Sequence, residues 1–149
     1  MPGKLSRRIL DEFKACAYSD EKGVLCATMT GRYAEGADFP GKELEGIFLV
    51  GVPFDRMTTR TRLYLEYYQR IYRKERGTFY AYILPAVKRA SQSLGRALRS
   101  KEDRAVLILG DRRYKRFASL LPDFVQRNLK SIKSNSQTLR REAKGFWKG

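Results

Sequence analysis

The residues best suited to chemistry in this chain lie in the octet Gln92-Ser93-Leu94-Gly95-Arg96-Ala97-Leu98-Arg99. Set on a helix at about 100° per residue, Gln92, Arg96 and Arg99 share a stripe roughly 60° wide, with Lys88 beside them. Ile83, Val87, Ala90, Leu94, Ala97 and Leu98 take the opposite side. The segment is therefore expected to form one helix with a core face and a face of cationic forks. A guanidinium stays charged at every physiological pH and offers planar paired donors that match phosphate oxygens. Gly95 falls next to the polar stripe, where the missing side chain would let a backbone or a ligand approach. A mid-helix glycine costs about 1 kcal/mol relative to alanine, so some compensation is expected. Periodicity alone fits a phosphate-facing helix and an ordinary surface helix equally well.

A second segment supplies complementary chemistry. The apolar run between Gly23 and Gly31, around Val24–Met29, reads as a buried strand. It leads directly into Gly31-Arg32-Tyr33-Ala34-Glu35-Gly36-Ala37-Asp38-Phe39-Pro40-Gly41. Open α/β sheets build ligand sites in such glycine-rich loops beyond their strand ends. Glu35 and Asp38 cannot cradle phosphate, but a ribose hydroxyl, a metal-bound water or a neighbouring arginine would suit them. Loop N–H groups would meet the anion itself. A solvated turn holding two acids explains the same residues.

The elements that would position these groups alternate. Leu5–Tyr18 reads as a helix with Leu5, Ile9, Phe13 and Cys16 on one face. A strand is expected at Ile47–Val52 and a helix at Thr58–Arg76, whose Thr61, Tyr64, Leu65, Tyr68, Ile71 and Tyr72 share a face. Those aromatics suit base stacking, yet at helical spacing a core assignment is favoured. A helix over Phe79–Arg99 and a buried strand at Ala105–Leu109 follow. Short apolar strands separated by helices argue a mostly parallel sheet in a three-layer α/β arrangement. After Arg127 the apolar density drops, and Lys130, Lys133, Arg140, Arg141, Lys144 and Lys148 face a lone Glu142. An unstructured basic tail over residues 131–149 is favoured over a helix end, with residues 1–130 as the folded unit.

Composition bounds the possibilities. The chain has 149 residues and a formal charge of +15, from 31 Lys plus Arg against 16 Asp plus Glu, with no histidine. One core is affordable at this length. The cationic excess points to a polyanion, nucleic acid before acidic membrane. The apolar run at 46–54 is far shorter than the ~20 residues of a membrane span. No secretory signal pattern is seen at the start, so a cytoplasmic or nucleoid-associated location is expected. Cys16 and Cys26 are too few for a four-cysteine cluster or a closed zinc site, and burial as small apolar residues is expected of them. No metal site is expected in the chain itself.

Together the two chemical segments resemble a known pair. Gly31-Arg32-Tyr33-Ala34-Glu35-Gly36-Ala37-Asp38-Phe39 is similar to motif V of superfamily 2 helicases, in the G-x-x-x-E-G-x-D-F form of the XPD family of iron–sulfur DNA helicases. Gln92 to Arg99 matches the Q-x-x-G-R-x-x-R pattern of motif VI. Gly51-Val52-Pro53-Phe54 resembles that family's G-V-P-aromatic strand end, Asp111-Arg112-Arg113-Tyr114 its D-x-R-[FY], and Leu121-Pro122 its L-P before a final helix. The landmarks run in the family's order from about Gly23 to Leu129. The resemblance implies a partial RecA-like lobe, the C-terminal motor lobe of such a helicase.

It also implies roles. ATP with magnesium would sit between two lobes, with Arg96 and Arg99 reaching across as arginine fingers. Gln92, Gly95, Glu35, Gly36 and Asp38 would line the nucleotide, and Thr30, Gly31 and Arg32 would touch the DNA backbone. The implied partners are DNA, preferably single-stranded, ATP and a first lobe in the same or another chain, with no membrane partner. Family membership implies 5′-to-3′ movement. The chain lacks the G-x-x-x-x-G-K-[ST] phosphate loop, the D-E-x-H box and the iron–sulfur cysteines, which in the family belong to the first lobe. No iron–sulfur cluster and no autonomous turnover are therefore expected of it, and the lobe's opening strand and motif IV are expected to precede Met1. The alternative is a non-catalytic basic nucleic-acid-binding module that keeps a helicase-derived shape.

Overall fold

A computed structural model describes residues 2–29, 36–98 and 100–148. Thr30, Gly31, Arg32, Glu35 and Arg99, all expected to serve the site, lie outside the described residues.

Helix α1 (Pro2–Ala15) opens with proline at its first position, where no intrahelical N–H is required. Lys14 in its last turn complements the carbonyl end of the helix dipole. The expected apolar face is only partly used: Leu5 and Ile9 are exposed, while Phe13 meets Phe39 edge-on with centroids 5.9 Å apart. A 3-10 turn, Cys16–Tyr18, ends the element. The strand expected around Val24–Met29 does not form. Residues 21–28 carry no regular structure and Val24 is 89% exposed, because no neighbouring strand among the described residues offers the ladder an apolar run needs. Cys26 is exposed and Cys16 half-buried, so neither is the core residue expected.

The sheet among the described residues is β1 (Gly46–Leu49) paired in parallel with β2 (Val106–Leu109), in the register Gly46↔Val106 to Leu49↔Leu109. Parallel neighbours demand a long crossover. It is supplied by α2 (Thr59–Tyr72), α3 (Lys74–Thr78), a π-helical turn (Phe79–Ile83) and α4 (Leu84–Leu94). The fold is thus a partial α/β lobe, rich in helix with a small parallel sheet. Leu49, Val52, Ala86, Val87, Ala90, Leu94, Tyr114, Leu121 and Val125 form its core. The expected apolar stripe of α4 is the main wall: Val87, Ala90 and Leu94 are essentially inaccessible.

Thr58 caps α2 by accepting the Thr61 N–H at 3.2 Å. The helix breaks at Arg73, which holds φ +65° and ψ 163°, a region that side chains other than glycine's avoid. The break folds α3 back on α2. Gly77 permits the crossing, since a Cβ there would stand 2.5 Å from Gln69 Cα. The aromatic face of α2 is not core. Tyr64, Tyr67 and Tyr72 are exposed, and Tyr64, Tyr68, Tyr72 and Tyr80 touch in a row with centroids 4.7 to 5.8 Å apart.

Beyond β2 come two 3-10 turns and α5 (Asp123–Asn128). The tail expected to be unstructured instead forms α6 (Ser136–Lys148). Asn135 Oδ1 caps it by accepting the Thr138 N–H at 2.7 Å. Apolar periodicity at Leu139, Ala143 and Phe146 carries that helix.

Candidate functional site

Helix α4 does not run through the octet as one cylinder. It ends at Leu94, with Gly95 in helical geometry as its C-cap. The Arg96 and Ala97 N–H groups then turn to the carbonyls of Ser93 and Leu94, a tighter i→i+3 pattern. The weakest helix former in the segment therefore marks the end of the helix. Gln92 is exposed in the final turn, and Arg96 projects from the turn beyond it, so the stripe is not a continuous helical face. No other element packs on Gly95: a Cβ there would meet only its own helix, Ser91 O at 3.5 Å and Gln92 O at 3.7 Å, which leaves the space beside it open.

What the turn achieves is a link between the two expected motifs. Arg96 Nη1 donates to the Ala37 carbonyl oxygen at 2.8 Å, across 59 positions of sequence. Arg96 is half-buried, Ala37 and Phe39 are buried, and Gly36 and Asp38 are exposed on either side of Ala37. Burial of alternate residues along 36–39 anchors the strip and leaves Gly36 and Asp38 facing outward. The guanidinium also lies at the carbonyl end of α4, where a cation is favoured. Of the expected nucleotide-side residues, Arg96 is thus brought to the loop that carries Gly36 and Asp38.

The exit of that loop is clamped by α1. Lys14 Nζ is 3.0 Å from Glu43 Oε2 and 5.3 Å from the Phe39 ring centroid. Glu43 Oε2 is buried with no directed hydrogen bond, so charge alone holds it. Tyr18 adds a long hydroxyl contact to Glu43 Oε1 at 3.4 Å.

A second cluster positions α4 itself. Arg89, three residues before Gln92, donates through Nη2 to Pro53 O at 3.0 Å and pairs through Nη1 with Asp55 Oδ1 at 3.0 Å. Tyr82 OH donates to Asp55 O at 3.0 Å, and its ring stacks on Phe54 at 4.9 Å. From the other strand end, Tyr114 OH donates to Gly51 O at 2.9 Å, and the Arg113 guanidinium lies 5.2 Å from the Phe54 ring centroid. Asp111 accepts from Arg113 side-chain and backbone N–H groups, which hold its carboxyl down at about 2. Burial pushes the Tyr114 hydroxyl up to about 12. Arg89 and Tyr82 were not singled out from sequence, and the only hint was their place just before the octet.

An open groove of about 500 Å³ lies elsewhere, along α6. Among the described residues no group of His, Cys, Asp or Glu side chains could hold a metal ion. No helix among them is long and apolar enough to cross a membrane.

Residues 3–128 match the family described as the helicase C-terminal domain. The chain is 32% identical over 126 residues to the general transcription and DNA repair factor IIH helicase subunit XPD/RAD3 of Saccharomyces cerevisiae, covering 84% of this chain and 16% of that protein. It is 30% identical over 132 residues to the XPD subunit of Arabidopsis thaliana, covering 87% and 17%. Against the ATP-dependent DNA helicase CHL1 of Eremothecium gossypii it is 28% identical over 155 residues, covering 95% and 19%. The chain spans less than a fifth of the length of each of these relatives.

Proposed function

Because the chain belongs to the helicase C-terminal domain family, we propose that it is the second motor lobe of an XPD-like ATP-dependent DNA helicase, completing an ATP site whose other half is a first lobe. The observation that carries this reading is the Arg96–Ala37 hydrogen bond. It joins the segment that would answer to phosphate with the segment that would touch DNA. A displacement of either is then transmitted to the other.

In this reading Arg96 and Arg99 oppose the negative charge that builds on the transferring phosphoryl group. Such a contact is worth about 10³–10⁵ in rate where an arginine finger has been removed from related chemistry. Gln92, Gly95, Gly36, Glu35 and Asp38 orient the nucleotide, with the Asp38 carboxylate suited to a ribose hydroxyl. Thr30, Gly31 and Arg32 grip the DNA backbone. The chain's contribution is cationic, and the magnesium that accompanies ATP belongs with the carboxylates of the other lobe. Movement is 5′-to-3′ along a single strand.

The test pairs the 149-residue chain with a first lobe from a relative and measures DNA-stimulated ATP hydrolysis. The chain alone is expected to give none and the pair to give turnover. Arg99→Ala should abolish it with DNA affinity nearly intact, since the contact forms mainly in the transition state. Arg32→Ala should instead weaken DNA binding and flatten its salt dependence. If Arg99→Ala spares turnover and costs as much DNA affinity as Arg32→Ala, the arginines form a nucleic-acid surface, and a binding module without catalysis replaces the motor lobe.

A further inference from the structure

Helix α6 divides sharply by charge. At helical spacing Arg140, Arg141, Lys144 and Lys148 fall within an arc of about 100°, and the groove along that arc is bordered by Gln137 and Gly145. Arg140, Lys144 and Lys148 succeed one another every four residues, a cation about every 6 Å along the axis. Phe146, on the opposite side, and Trp147, at the edge of the arc, both meet Arg104. Arg104, just before β2, donates through Nη2 to Phe146 O at 2.8 Å and lies 5.1 Å from the Phe146 ring centroid and 5.7 Å from that of Trp147. Lys130 pairs with Glu142 at 2.5 Å and draws its carboxyl below the usual range, while Arg141 reaches the other oxygen at 3.4 Å with its side chain still exposed. The cations are thus presented by a fixed helix whose acid is already occupied. Residues 136–148 also lie beyond the matched family segment, which ends at 128.

We propose that α6 is a second nucleic-acid contact of the lobe, a rail that follows the phosphate backbone of single-stranded DNA and stacks a base on Trp147. The proposal rests on the reading of the chain as a lobe that handles a DNA strand. A row of evenly spaced cations with an aromatic ring beside it is the arrangement that binds single strands without regard to sequence. Trp147 is 43% exposed and lies three residues from Lys144, on the edge of the basic arc. A phospholipid surface is the poorer occupant, because an interfacial helix must bury its apolar side in the bilayer, and here Leu139 and Ala143 on that side are half-buried against the protein.

Trp147 is the chain's only tryptophan, so its fluorescence reports directly on α6. The 149-residue chain is titrated with a fifteen-residue oligo-dT at rising salt, beside the variant R140Q/R141Q/K144Q/K148Q. Glutamine keeps helix propensity close to that of the residues replaced. The wild type is expected to show quenching and a salt slope steeper by about 3, from four phosphate contacts at about 0.7 each. Over a fourfold rise in salt its affinity then falls about 50-fold more than the variant's. R140K/R141K should keep the wild-type slope. Equal slopes and affinities in wild type and glutamine variant, or no quenching, overturn the rail and leave the motor-lobe reading untouched. Turnover lost from the two-lobe pairing while α6 still binds oligo-dT has the reverse meaning. Tight binding to vesicles containing phosphatidylserine, with none to oligo-dT, assigns α6 to a membrane instead.

Discussion

Replacing Arg96 with alanine separates two roles that its position allows. As a clip, Arg96 contributes a charge-assisted hydrogen bond to the Ala37 carbonyl. Such bonds are worth about 1.5–3 kcal/mol, and half-burial reduces this to roughly 1–2 kcal/mol. For a chain of this length that lowers the melting temperature by roughly 2–8 °C. As an arginine finger, its loss raises the barrier by about 4–7 kcal/mol, equivalent to 10³–10⁵ in rate. The two magnitudes hardly overlap. The expected outcome for Arg96→Ala is a modest thermal shift together with at least a 1000-fold drop in kcat of the two-lobe pairing, by an order-of-magnitude estimate. Arg96→Lys should recover most of the thermal loss and little of the turnover, because an ammonium cannot reproduce the planar fork. Differential scanning fluorimetry and steady-state hydrolysis on the same preparations decide it. A kcat reduced less than tenfold, with the thermal shift as stated, would show that Arg96 is a clip alone.

Gly77→Ala should lower stability by about 1–3 kcal/mol, since the new Cβ would stand 2.5 Å from the Gln69 backbone, and a melting curve unchanged from wild type would refute that packing. Tyr114→Phe should cost about 1–3 kcal/mol by orphaning the Gly51 carbonyl. The Tyr114 hydroxyl is raised from 10 to about 12, so its contribution is complete below pH 10 and is lost as pH rises towards 12. Urea midpoints across that range should therefore converge between wild type and the phenylalanine variant. Asp111 has the opposite sign: its carboxyl is lowered from 3.8 to about 2, so its contribution is present above about pH 4 and fades as pH falls through 2. Asp111→Asn should flatten that acid limb, and an acid limb identical to wild type would show that the Arg113 pairing adds nothing to stability.

Much of the scaffold was legible because periodicity and burial obey the same geometry. Ile83, Val87, Ala90 and Leu94 read as one apolar stripe, and the latter three became the inaccessible wall of the core. The strands expected at Ile47–Val52 and Ala105–Leu109 form over Gly46–Leu49 and Val106–Leu109, the first ending early because the pairing with β2 stops at Leu49. Val24–Met29 has the same composition and failed, since strand formation depends on a neighbour that local sequence does not encode. The tyrosines of α2 misled for a related reason. Helical spacing fixes which side chains share a face, and on the expected face Tyr64, Ile71 and Tyr72 stay exposed while Thr61, Leu65 and Tyr68 are only half-buried. Charge density misled at residues 136–148, where a docked apolar edge and an asparagine cap outweigh the cations.

The site was legible as residue types and not as a contact. Arginines, a glycine and carboxylates at family spacing nominate the groups, but Arg96 donates to a backbone carbonyl, which every residue carries and no side chain announces. The position of Arg96 is set in turn by Arg89, whose two bonds fix α4 against Pro53 and Asp55 at the exit of β1. Tyr114, following β2, reaches the same exit through Gly51 O. Both strand ends therefore bear on the helix that delivers Gln92 and Arg96, and the landmarks that looked like separate signatures act as one support. A helix braced at Arg89 and ended at Gly95 holds its terminal turn in a defined place, while the Ala37 contact ties that turn to the loop of Asp38. The chemistry proposed for the lobe depends on that combination. A cation that must meet charge developing in a transition state has to be placed before the charge appears, and preorganisation of this kind is what a rigid α4 supplies.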